Sequence, residues 1–326
     1  MEWISRSQEN HHKTPGAFDC AALNCRGMRM PETSPCGCPA SYVQIGDICK
    51  QGEYMEDFLK EMREIVGLPE PAIARNMPDP LTFDTQGQGF RDGFMKSAIL
   101  CTARSGSSLL SVALEAYGFQ FREYLNTGDL LKRVVQNAGV TYTSDLARPF
   151  EEFATQDGRM SIKMPPLGLV FLFMMGEFPK NLDRWRFVYL RRQNLVRQAI
   201  SGAVARRTGQ WTHVMAARSE ISDDDYSFEE ILRILNSANQ ENRMIERFIG
   251  MLGLPVYNVI YEEFVTNQKA VLAEIASFFG CDLNDYPEAA NHKPWIERQS
   301  TDLNKRWEDR FREDLLKRLG TEATIA

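Results

Sequence analysis

The chain predicts an α/β fold, a parallel sheet flanked by helices, with an irregular extension ahead of it. Three observations carry this. From Gly93 onward, short apolar runs alternate with longer stretches of helical periodicity, the order that builds a parallel sheet through crossover helices. Two of the strand candidates run straight into a basic, polar turn and then a helix. Residues 1–90 break the pattern: Cys20, Cys25, Cys36, Cys38 and Cys49 crowd the first fifty positions, and Pro69, Pro71, Pro78 and Pro80 interrupt the chain repeatedly.

Taken in order, residues 1–39 are polar and rich in Pro, Gly and Cys, without sustained periodicity. Residues 54–66 read as an amphipathic helix with Met55, Phe58, Leu59, Met62 and Ile65 on one face. Strands are expected over 97–102, 160–164, 186–190 and 255–261. Helices are expected over 107–117, 128–137, 194–207, 228–252, 268–279 and 302–319, with a further helix starting in the apolar stretch 167–175. The division is an accessory extension over 1–90 and a main domain over 91–326. In such sheets ligands bind beyond the carboxyl ends of the strands.

Composition excludes several classes. The chain has 326 residues, 43% hydrophobic and 25% charged, with a net charge of −6. A pI near 5.5 argues against a general nucleic-acid binder. The longest apolar run, 167–175, is too short to span a bilayer. The first residues, Met1-Glu2-Trp3-Ile4-Ser5-Arg6, lack the layout of a secretory signal, so a cytoplasmic location is expected. Seven cysteines, an odd number, speak against a disulfide framework. The Cys-rich segment with His11 and His12 shows no zinc-ligand spacing, so free thiols are expected there, and Cys101 and Cys281 read as small core residues.

The most informative piece is Thr102-Ala103-Arg104-Ser105-Gly106-Ser107-Ser108-Leu109-Leu110, where the first strand feeds a small-residue turn that opens a helix. Unpaired amides at a helix N-terminus carry partial positive charge and hold oxyanions. Ser107 and Ser108 add hydroxyls and Arg104 a fixed charge. The turn lacks the Gly-Lys pair of the nucleotide-hydrolase loop G-x-x-x-x-G-K-[ST]. On its own it reads equally as an anion grip or as a tight structural turn. The strand 186–190 ends in the same way, in Arg191-Arg192-Gln193-Asn194, with Ser201 nine residues beyond Arg192. Two basic strand ends on one sheet edge suggest two anion sites, as a doubly phosphorylated nucleotide requires.

At this point a family resemblance appears. Arg104-Ser105-Gly106-Ser107-Ser108-Leu109-Leu110 resembles the 5′-phosphosulfate loop of sulfotransferases. Arg192 and Ser201 resemble the pair that holds the 3′-phosphate of 3′-phosphoadenosine-5′-phosphosulfate (PAPS). The runs 196–201 and 207–211, Tyr261-Glu262-Glu263-Phe264 and 298–307 are similar to the bacterial trehalose 2-sulfotransferase type. The resemblance spans residues 95–315. It implies a P-loop-like sulfotransferase fold, PAPS as donor with PAP as product, no metal, a small polar acceptor such as a sugar, and room for a homodimer. It places Arg104, Ser105, Gly106, Ser107, Ser108, Leu109, Arg192, Ser201, Arg298 and Gln299 at the donor. Glu123 becomes the catalytic base, although Gly118-Phe119-Gln120-Phe121-Arg122 departs from the Gly-Glu-Pro form usual before it. Lys163, after the strand residues Met160 to Ile162, is a further sheet-edge cation for the sulfuryl group or the acceptor, or else a surface lysine. Trp211 is either a stacking surface or core, and His213 and His292 fall in no matching motif. The alternatives are a nucleotide kinase on a related fold, which would want the missing loop lysine and Mg²⁺ ligands, and a noncatalytic nucleotide-binding protein.

Overall fold

The computed structural model describes residues 95–121, 155–156, 158–166, 168–169, 172, 177–178, 181–212, 215–254, 256–291 and 301–322. Five strands form one sheet: β1 (Met95–Cys101), β2 (Thr155–Gln156), β3 (Arg159–Met164), β4 (Trp185–Arg191) and β5 (Val256–Ile260), in the order β2-β3-β1-β4-β5. β3, β1, β4 and β5 run parallel, and β2 is an antiparallel edge on β3. The central strand β1, Met-Lys-Ser-Ala-Ile-Leu-Cys, is buried beyond its first residue. That is the pattern of a parallel strand covered on both faces.

The described helices are α1 (Ser107–Leu114), α2 (Leu195–Thr208), α3 (Phe228–Leu252), α4 (Tyr261–Thr266), α5 (Gln268–Phe278) and α6 (Asp302–Glu322). α1 and α5 cover one face of the sheet: Leu110, Leu114, Ile275 and Ala276 join Ile99, Val188, Leu190 and Val259 in one core cluster. On the other face the Phe248 ring of α3 meets Phe187 of β4 edge-on at 6.1 Å. α2 and α6 pack with α3 in a second cluster, where Ala199 and Ala203 face Ile231, Trp307 and Phe311. Phe228 and Phe311 stack there with ring centroids 4.8 Å apart. Each fully buried large side chain of this kind contributes about 1.5–3 kcal/mol.

Helix limits follow their caps. The Ser227 side chain accepts from the Glu230 amide at the start of α3, and Gly253 ends it in the left-handed region. The Asn194 side chain accepts from the Arg197 amide, and Gly209 closes α2. At the amino end of the sheet, Lys96 is buried against Glu177, with Nζ 2.7 Å from Oε1. Trp185 Nε1 and Asn181 Nδ2 also donate to that carboxylate.

The expected α/β architecture is present, with shifts of one to three residues at most element ends. Two elements were not expected. β2 is only two residues long. The strand expected over 255–261 stops at Ile260 because α4 begins at once, at Tyr261, without an intervening turn. Within the expected helix start 167–175, residues 168, 169 and 172 are helical. The helix expected over 107–117 tightens into a 3-10 turn, Glu115–Tyr117, before Gly118 in the left-handed region. Cys101 is buried as expected, whereas Cys281 is half-buried at the core margin, because it follows the exposed Gly280 turn at the end of α5. The helices expected over 54–66 and 128–137 and the Cys-rich extension lie outside the described residues.

Candidate active site at the carboxyl edge of the sheet

The turn after β1 is built from strained backbone and external supports. Arg104 sits at φ 62° and Gly106 at φ 103°. A left-handed conformation costs a non-glycine residue about 1–2 kcal/mol, so the surroundings must hold Arg104 there. They do so from three sides. Gln198 Nε2, from α2, donates to Thr102 Oγ1 at 2.8 Å and to the Ala103 carbonyl at 2.7 Å. Arg192 Nη1, at the end of β4, donates to the Arg104 carbonyl at 3.3 Å. The Ser105 amide closes the turn onto the Thr102 carbonyl.

Gly106 is required at its position. A Cβ there would collide with Cδ2 and Cε2 of Tyr261, the first residue of α4. The same ring carries the Arg192 guanidinium, with Cζ 4.3 Å from its centroid. Tyr261 thus meets both the backbone of one strand end and the cation of another, the latter a cation–π contact of about 0.5–2 kcal/mol. Gly106 also serves as the N-cap of α1 and provides no side-chain cap bond. Intrahelical bonding starts with Leu110 donating to Gly106, so the amides of Ser107, Ser108 and Leu109 precede the first helical donor and form an oxyanion-directed end.

The cations converge. Arg104 Nε donates to Ser201 Oγ at 3.0 Å, and Arg104 Nη1 donates to the Trp211 carbonyl. Burial, then the like charge of Arg192, hold the Arg104 guanidinium below its usual pKa, with Tyr261 acting the other way. A multiply charged anion at this point relieves that repulsion, so the donor set fits a phosphate or sulfate group.

The turn after β4 is fixed by two carboxylates. Glu262 Oε2 accepts from the Gln193 amide at 3.0 Å. Glu308 of α6 accepts from Asn194 Nδ2 at 2.7 Å, Arg197 Nε at 2.9 Å and Arg312 Nη2 at 3.0 Å. Burial pushes the Glu308 carboxyl up, but the bonds from Asn194, Arg312 and Arg197 outweigh it and leave the pKa below the usual carboxylate value.

The structure therefore brings Arg104, Gly106, Arg192 and Ser201 together, with the half-buried Ser107 and Ser108 at the mouth of α1. Ser105 is fully buried, and its hydroxyl has no hydrogen-bond partner among the described residues. Leu109 packs at the core margin, leaving only its amide for a ligand. Lys163 is buried in β3, paired in register with Ile99, which corrects the surface-lysine alternative. Trp211 is 42% exposed, which corrects the core alternative. Glu123, Arg298, Gln299, His213 and His292 lie outside the described residues. Sequence reasoning assigned no role to Gln198, the Tyr261 ring, Glu262 or Glu308. The available signal was a glutamine on the apolar flank of α2 and a tyrosine directly ending a strand.

Among the described residues no group of His, Cys, Asp or Glu is disposed to hold a metal ion, and no helix is long and apolar enough to cross a membrane. No curated protein matches the chain. Solved structures similar to it include the sulfotransferase domain from the Synechococcus PCC 7002 olefin synthase. It is 17% identical, with a TM-score of 0.36, covering 68% of this chain and 96% of that one. Another is the sulfotransferase domain from the curacin biosynthetic pathway, 18% identical, with a TM-score of 0.35 and coverage of 63% and 79%. The segment that holds β4, α2 and most of α6 carries the family evidence: residues 177–314 match the family model described as Stf0 sulphotransferase.

Proposed function

We propose that the chain transfers a sulfuryl group from PAPS to a hydroxyl or amine of a small polar acceptor. The observation that carries this reading is the convergence of Arg104, Arg192 and Ser201 beside the uncapped N-terminus of α1. Residues 91–326 form the transferase domain in this reading, and residues 1–90 an accessory extension. The amides and hydroxyls of Ser107 and Ser108, with Arg104, receive the 5′-phosphate that leaves. Arg192 and Ser201 receive the 3′-phosphate, and the Arg104–Ser201 contact supports treating the two anion sites as one continuous seat.

The transferred sulfur exchanges the phosphate oxygen for the acceptor's oxygen or nitrogen in line. The bond to the 5′-phosphate oxygen breaks, the bond to the acceptor forms, and the acceptor proton passes to Glu123. Negative charge collects on the departing phosphate, where preorganised N–H groups and a fixed guanidinium stabilise it most. Lys163 is the candidate to meet the sulfuryl group or the acceptor, and Arg298 and Gln299 are further donor contacts by resemblance.

Calorimetry with PAP tests the donor. Arg192→Ala is expected to weaken PAP by about tenfold or more, equivalent to about 1.4 kcal/mol. Unchanged affinity overturns the 3′-phosphate assignment. Glu123→Gln is expected to keep PAP affinity and lower turnover in an assay of sulfate transfer. Stabilisation by ATP with Mg²⁺ rather than by PAP in a thermal-shift comparison favours the kinase alternative.

A further inference from the structure

We infer that Gln198 is a positioning residue that locks the turn after β1 into its anion-receiving shape; the inference rests on the donor reading above. Gln198 is 1% exposed and lies on α2, three residues before Ser201. One amide nitrogen makes both contacts to the turn, with Thr102 Oγ1 at 2.8 Å and the Ala103 carbonyl at 2.7 Å. Both acceptors immediately precede Arg104, whose positive φ is the strained point of the turn. A carbonyl fixed on one side of a strained residue and a second fixed by Arg192 on the other leave the Arg104 backbone one conformation.

The linkage has a chemical consequence. Gln198 and Ser201 lie on one flank of α2, a single turn apart. Gln198 therefore fixes the distance between the turn that receives the 5′-phosphate and the hydroxyl that receives the 3′-phosphate. The residue touches neither ligand group; it acts through the backbone of Thr102 to Arg104. The Ala103 carbonyl can only accept, whereas the Thr102 hydroxyl can turn and donate, so an oxygen in place of the nitrogen repels the Ala103 carbonyl when ionised and donates to it when protonated.

Three measurements test this on the full chain. PAP affinity of Gln198→Met is expected to fall about tenfold relative to wild type, with the acceptor KM unchanged. Gln198→Glu is expected to bind weakly at neutral pH and to recover toward the wild-type value, measured at the same pH, as the buffer is taken toward pH 5. Gln198→Met has no such recovery. A residue that merely fills space gives neither the donor–acceptor split nor the pH-dependent rescue. In the ligand-free proteins, hydrogen exchange at 103–106 is expected to quicken in Gln198→Met and in Thr102→Val, with β3 unaffected. Gln198→Met binding PAP within about twofold of wild type, or a Gln198→Glu ratio flat with pH, overturns the inference. Failure of wild type to bind PAP overturns the donor reading instead, and the exchange rates at 103–106 then decide the clamp alone.

Discussion

Gly106 shows how little freedom a single position in this site retains. Its backbone is left-handed and its missing Cβ is the space that the Tyr261 ring fills. Gly106→Ala forces either the ring or the turn to move. The expected cost is about 1–3 kcal/mol of stability, read as a lower urea midpoint, together with weaker PAP binding. A midpoint equal to wild type would show that the ring gives way freely. At this scale the sequence was informative where a residue acts through its neighbours. Gly106, Ser107 and Ser108 are legible because a tight turn before a helix needs them. Gln198, Tyr261 and Glu308 are not, because the contacts that tie them to the two turns come from far along the chain, Gln198 to Thr102, Tyr261 to Arg192 and Glu308 to Asn194. No local pattern encodes such a distance.

Among the elements, α6 has the least expected duty. Read from sequence it is a charged helix, yet Glu308 gathers Asn194, Arg197 and Arg312 and so fixes the start of α2. Hydrogen bonds to a charged group contribute about 1.5–3 kcal/mol each, so Glu308→Gln is expected to destabilise by about 2 kcal/mol at pH 7. The sign with pH follows from the depressed carboxyl. Stability from a lowered pKa is present above the unfolded carboxylate value and disappears as pH falls through the folded one. The gap between urea melts of wild type and Glu308→Gln should therefore shrink as pH falls below the unfolded glutamate value of about 4.3 and close only once the pH passes below the depressed folded-state value. A gap that is constant between pH 7 and pH 3.5 contradicts the assignment. The limits of α3 were legible in full, since Ser227 and Gly253 mark both ends. α4 escaped because Tyr261 continues an apolar strand pattern and its helix starts with no side-chain cap.

For the molecule as a whole, stability and chemistry occupy opposite ends of the sheet. The buried Lys96–Glu177 pair lies where β1 and β4 begin, and the cation cluster lies where they end. Removing one partner of a buried pair costs about 3–5 kcal/mol. Glu177→Gln is accordingly expected to lower the unfolding midpoint strongly while the folded fraction retains wild-type PAP affinity. Altered affinity in calorimetry would show that the two ends are coupled. The alternation of strands and helices made the architecture legible, because burial on both faces leaves mostly apolar residues for a central strand, with Lys96 and Ser97 the exceptions in β1. Which strands adjoin was less so, as the order β3-β1-β4-β5 arises from tertiary packing.

The ring of Tyr261 gives this arrangement a temporal aspect. Arg104 and Arg192 are synthesised well before residue 261, yet both the glycine turn and the Arg192 cation rest on that ring. A chain still emerging from the ribosome holds its cations without their common support. The cation cluster is thus among the last features of the site to be completed, and its assembly becomes a report that β5 has docked.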